Sequence, residues 1–195
     1  MPVNLDKPHL WNADVVQSVD QYNEWFLKFA PATFRRTRVK VTGDVEEMLK
    51  RTNYLRNITP QELWAHPGIL FALRMSTAPP IARDRVVGLA VVSKSLVNTM
   101  ELDHKIPPRM SETELTSQLG KIASLIMKLA DADIFPWLES NRKPSKSESY
   151  RAATIVADRL CGAQADPIVR NAQEQRLSWV LGSRGYRLGL GASDG

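Results

Sequence analysis

The chain has 195 residues, 43% hydrophobic and 24% charged, a balance that supplies a core and excludes wholesale disorder. One cysteine, Cys161, excludes an internal disulfide framework, and no apolar run reaches the ~20 residues of a bilayer-crossing helix. The formal charge of +5 permits contacts with nucleic-acid phosphates without demanding them. The opening, MPVNLDKPHLWNADVV, lacks a basic segment followed by an apolar one. No secretory signal is read there, and a cytoplasmic location is expected.

Taken in order, nearly every segment reads as helix. Val15, Val19, Tyr22, Phe26 and Phe29 recur at helical spacing behind the cap residue Asn12, and Pro31 is expected to stop that helix. The next stretch, ATFRRTRVKVTG, is basic and alternating, and suits an extended arm or a short strand. Asp44 with Glu47 has capping-box-like spacing before Val45, Met48 and Leu49, and Thr59-Pro60 opens a further helix. His66-Pro67 starts a short helix that ends near Ser76. Pro79-Pro80 breaks the chain before a more apolar helix from Ile81, and Ser93 can cap the next. After Pro107-Pro108, Ser111 with Glu114 forms a capping box for a long amphipathic helix. SNRKPSKS reads as an exposed loop. Ser145 with Glu148 then opens a helix to about Ala163, and Asp166-Pro167 starts a last one ending near Gly182. The expected fold is mainly α: a multi-helix bundle with little or no sheet. It is read as one domain over 1–182, with a sub-boundary, if any, near 140–147, and a flexible Gly-rich tail over 183–195.

Familiar catalytic patterns are missing. There is no Gly-rich phosphate loop, and His9, His66 and His104 stand apart without zinc-ligand spacing. The nearest approach to a nuclease cluster is Asp103-His104-Lys105 with Asp84 upstream. It lacks the hydrophobic strand that presents such groups and reads as a solvated loop, so no catalytic or metal-ligating residue is assigned. Cys161 reads as a small buried residue, and Trp11, Trp25, Phe26 and Phe29 as core packing rather than base stacking.

Charged residues carry more information. On a helix that starts at Ile81, a step of about 100° per residue turns Arg85 toward Ile81, Leu89 and Val92, and Arg159 falls likewise among Ala152, Ile155 and Val156. A guanidinium cannot shed its charge, so buried Arg85 and Arg159 need carboxylates, with Asp84 and Asp158 among the candidates. A phosphate clamp is the alternative. The run Arg35, Arg36, Arg38 and Lys40 is the best candidate for an electrostatic contact with DNA, and Arg142, Lys143 and Lys146 form a second, weaker basic cluster.

The stretch LRMSTAPPIARDRVVGLAVVSKSLVNTME resembles the central signature of the XamI-type restriction endonucleases. The opening MPVNLDKPHLWNADVVQSVDQYNEWFLKFAP and the later RAATIVADRLCGAQADPIVRNAQEQR are similar to that family as well. The resemblance implies a type II enzyme that cleaves double-stranded DNA at a short site with magnesium, beside a methyltransferase that protects the host. A homo-oligomer is compatible with it. It further implies a PD-(D/E)XK centre on strands C-terminal to the matched region. The expectation is that this chain lacks that part, as a truncated homologue, a decayed gene or a fragment, and binds DNA without cutting it. The alternative is a non-catalytic helical module that binds DNA or a partner protein.

Overall fold

The computed structural model describes residues 8–183. Among them are seven α-helices and no strand, the only ladder contact being an isolated antiparallel bridge between Thr77 and Ala130. The expected all-helical class is the observed one. In chain order the helices are α1 (Pro8–Arg51), α2 (Pro60–Ala65), α3 (Leu70–Met75), α4 (Arg83–Ala90), α5 (Lys94–Asn98), α6 (Glu112–Leu129) and α7 (Lys146–Ser183). A 3-10 turn, Pro67–Ile69, leads into α3, and a π-helical turn, Thr99–Asp103, extends α5. Of the tail expected over 183–195, all but residue 183 lies outside the described residues, as do the side chains of Trp11 and Val15.

Several helix starts follow the caps seen in the sequence. Thr59 accepts a bond from the Glu62 amide at 3.1 Å, with Pro60 in the first helical position. Ser111 accepts from the Glu114 amide at 3.3 Å. Ser145 and Glu148 close a reciprocal capping box: the Ser145 hydroxyl accepts from the Glu148 amide, and the Glu148 carboxylate accepts from the Ser145 amide at 2.8 Å.

The two longest helices correct the expected boundaries. Pro31 does not end the first helix, and α1 runs on through the stretch expected as an arm or strand. Alternation along Val39-Lys40-Val41 suggested a strand, but Val39 is 77% exposed while Val41 is fully buried. The buried set is Val41, Val45 and Met48, at helical spacing. Asp44 and Glu47 therefore sit inside a helix and cap nothing. In α7 the expected break at Asp166-Pro167 is absent, and the helix continues to Ser183. A proline removes one backbone donor and crowds the preceding turn, a cost of about 3 kcal/mol, which bends or breaks a helix according to what else holds it.

By its contacts the chain divides into two compact units, residues up to Thr37 with those from Gly162, and Arg38–Cys161. In the first, Tyr22, Trp25 and Phe29 pack ring on ring, with Trp25 and Phe29 stacked at 5.0 Å, and the Arg176 guanidinium lies 5.9 Å from the Trp25 ring. In the second, α6 runs against α2 and α4. The core there takes Leu115, Leu119, Ile122 and Ile126 from one face of α6, Met48 and Val45 from α1, Val156 and Leu160 from α7, and Phe135 and Trp137 from the segment after α6. The Trp137 indole N–H is satisfied by the Tyr54 carbonyl at 2.8 Å.

Candidate nucleic-acid interface

α1 carries the four cations singled out for DNA, all exposed. Arg35 and Arg36 belong to the first unit, Arg38 and Lys40 to the second. Arg35 Nε donates to the Pro31 carbonyl at 3.2 Å, and Arg38 pairs with Asp158 at 2.7 Å. Arg36 and Lys40 form no ion pair among the described residues and keep their charge available to an external anion. In the second cluster, Arg142 is held by both oxygens of Glu148, at 2.8 and 2.5 Å, while Lys143 and Lys146 are exposed and form no ion pair among the described residues. The Arg142 guanidinium and the Ser145 donors hold the Glu148 carboxyl far below the usual carboxylate range.

The buried-arginine expectation is corrected in part. Arg85 is exposed, and neighbouring Asp84 pairs with Lys94 at the surface, at 3.2 Å. The cause is helix register. α4 begins at Arg83 rather than Ile81, and its buried face is Val86 and Ala90, which leaves Arg85 with half-exposed Leu89. Asp158 is exposed too and serves Arg38 rather than Arg159. Arg159 does project inward, with 29% of its side chain exposed. It bonds Asp131 at 3.0 Å and the carbonyls of Met75 and Thr77 at 3.0 and 3.3 Å.

The deepest arginine is one the sequence reading passed over. Arg74, 5% exposed, forks onto both oxygens of Glu101, itself 9% exposed, and donates to the Ile81 carbonyl. Phe71 stacks under the guanidinium at 5.0 Å. Glu101 is presented by the π-helical turn, and Arg83 approaches it from the solvent side at 3.8 Å. These polar groups are saturated by one another, so they organise the interior and offer nothing to a ligand.

Asp103 and Lys105 are exposed and form no ion pair among the described residues, and the His104 ring lies over Gly68, where a Cβ would collide with Nδ1. No group of three or more His, Cys, Asp or Glu side chains among the described residues is placed to hold a metal ion. The magnesium implied by the resemblance thus finds no donor set among the described residues.

The model of the XamI restriction endonuclease family matches residues 53–189, more than half of the chain. The chain belongs to the XamI restriction endonuclease family. It is also 51% identical over 189 residues to the type II restriction enzyme SalI of Streptomyces albus G, an alignment covering 94% of this chain and 59% of that protein. The chain thus spans well under two thirds of that relative's length. No solved structure matches. The family-matched span holds the interior network of Arg74, Glu101, Asp131 and Arg159, and the pair Arg74–Glu101 ties the second residue of the signature stretch to its last. The four cations on α1 precede the matched span. No helix among the described residues is long and apolar enough to cross a membrane.

Proposed function

We propose that this chain is the helical, DNA-contacting portion of a type II restriction endonuclease system, binding duplex DNA through its phosphates and leaving the strands uncut. The observation that carries the reading is the 51% identity to a type II restriction enzyme, sustained over nearly the whole of this chain. The exposed, unpaired charges of Arg36 and Lys40 support a phosphate contact, since cations without an internal partner can replace the counterions condensed on DNA. Such contacts position a protein on the duplex and read little sequence. Cleavage by the described residues is not expected, because no carboxylate cluster stands where a metal would have to sit beside a scissile phosphate. In this reading the cutting centre belongs to a separate part of the system, and a methyltransferase guards the host sites.

The test has two parts. Titrated with a short duplex, the chain should bind with an affinity that falls steeply with salt, and Arg36→Gln with Lys40→Gln should lower the log–log slope by about 1.8. Incubated with plasmid and magnesium, it should yield no discrete fragments. No binding, or an affinity indifferent to salt, overturns the DNA reading. Fragments lost in Asp84→Asn or Asp103→Asn overturn the assignment of those two residues to the solvated surface.

A further inference from the structure

A cleft of about 310 Å³ opens in the second unit, between the end of α1, the turn that follows it and the start of α7. Lys50 and Lys146 line it, with Tyr54, Ser149 and Tyr150 beside apolar residues such as Leu49. Both lysines are exposed and form no ion pair among the described residues. Glu46 is also on the wall, one turn before Lys50, yet no ion pair joins them. The hydroxyl-rich wall and two unpaired ammonium groups set in a concavity differ from the solvated lysines of an open helix face.

The surroundings hold this cleft in shape. Asn53, Tyr54 and Leu55 all take left-handed backbone conformations, with φ of 48°, 59° and 63°. Such non-glycine conformations are strained and persist only where their neighbours over-determine them. Here the Thr52 hydroxyl accepts from the Leu55 amide at 3.0 Å, and the Trp137 indole clamps the Tyr54 carbonyl. The Tyr54 ring stands edge-on to Trp137 at 6.5 Å. Ahead of α7, Arg56 holds Asn141 at 3.2 Å, and Glu148 grips Arg142 and the lining residue Ser145. Glu148 is fully engaged in that grip and neutralises Arg142, which leaves Lys146 uncompensated.

We infer that this cleft seats a backbone phosphate of duplex DNA, with Lys50 and Lys146 supplying the charge and the Ser149, Tyr54 and Tyr150 hydroxyls the neutral donors. The inference rests on the reading of the chain as DNA-contacting and adds a second anchoring point, in a different place from Arg36 and Lys40. Lysine suits it as a compact point charge that can approach a single phosphate oxygen from each side.

The experiment is a duplex titration over a range of salt with four proteins: the parent, Lys50→Gln/Lys146→Gln, Lys50→Arg/Lys146→Arg, and Lys121→Gln/Lys128→Gln on the exposed face of α6. The first variant should lower the salt slope by about 0.9, as expected for one lost phosphate contact, the arginine variant should keep it, and the α6 variant should match the parent. All substituted side chains are exposed, so unfolding midpoints should stay with the parent. If the parent binds and the cleft variant keeps its full slope, the cleft is not a phosphate seat although the DNA reading stands. An equal loss in the α6 variant reduces the effect to net charge and overturns the site. A parent that does not bind duplex at any salt overturns the DNA reading itself.

Discussion

Removing Arg74 should be the most damaging single change among the polar residues. Its side chain is 6% exposed and that of Glu101 4%. Two unit charges at about 4 Å attract by about 4 kcal/mol at the effective dielectric of protein sites. Their desolvation roughly cancels that gain, so the intact pair contributes little net stability. Breaking it is different. Arg74→Met leaves Glu101 buried, with only Arg83 at 3.8 Å near it, and should cost about 3–5 kcal/mol. With a urea dependence of about 2 kcal/mol per M, the midpoint should fall by about 2 M. Replacing both partners, as Arg74→Met/Glu101→Leu, removes the stranded charge and should recover most of the loss. The assay is urea unfolding followed by far-UV circular dichroism on the parent, both single variants and the double. A coupling of at least about 2 kcal/mol is expected between two residues in contact. Single-variant losses that simply add in the double variant would refute the reasoning, since the cost would then lie in packing rather than in charge.

Arg159→Ala should cost about 3 kcal/mol in the same assay, since it strands the buried Asp131 and two carbonyls, whereas Arg85→Ala should fall within about 0.5 kcal/mol of the parent. Equal losses would show that the register argument for α4 is wrong. The Glu148 carboxyl is held below its ordinary value by Arg142 and Ser145, so its contribution is present above the unfolded glutamate value of about 4.3 and is lost as pH falls through and below it. Glu148→Gln should therefore lower stability in the neutral region, where the ionised carboxylate contributes, and flatten the acid limb of the stability-against-pH curve below about pH 4, where parent and variant converge. An acid limb of unchanged steepness would place the acid sensitivity in other carboxylates.

Several helix starts were legible because their signals are local. Thr59-Pro60, Ser111 with Glu114, and Ser145 with Glu148 each fix a helix start through atoms within four residues of one another. The extents of the long helices were not. Pro31 and Pro167 are strong local stops, yet α1 and α7 run through them, α1 with Val41, Val45 and Met48 buried beyond Pro31. Whether a proline ends a helix depends on what the following turns can bury, which is tertiary information and invisible to a cap-and-breaker reading.

The same distinction decides what could be read of the site. Exposure of Arg36 and Lys40 was legible, since a dense run of cations cannot be buried wherever the backbone goes. The arginine pairings were not. Neighbours such as Asp84 and Arg85 diverge by about 100° on a helix and cannot pair with each other, so a local Asp-Arg string carries no pairing information. The partners that matter come from elsewhere: Glu101 for Arg74, Asp131 for Arg159, Arg38 for Asp158. The cleft has the same origin. Lys50 ends one helix and Lys146 begins another, and each alone is an ordinary surface lysine. They share one wall only because three left-handed residues turn the chain after α1, and because Trp137 holds that turn by a single carbonyl. Neither feature leaves a mark in the residues that would do the binding.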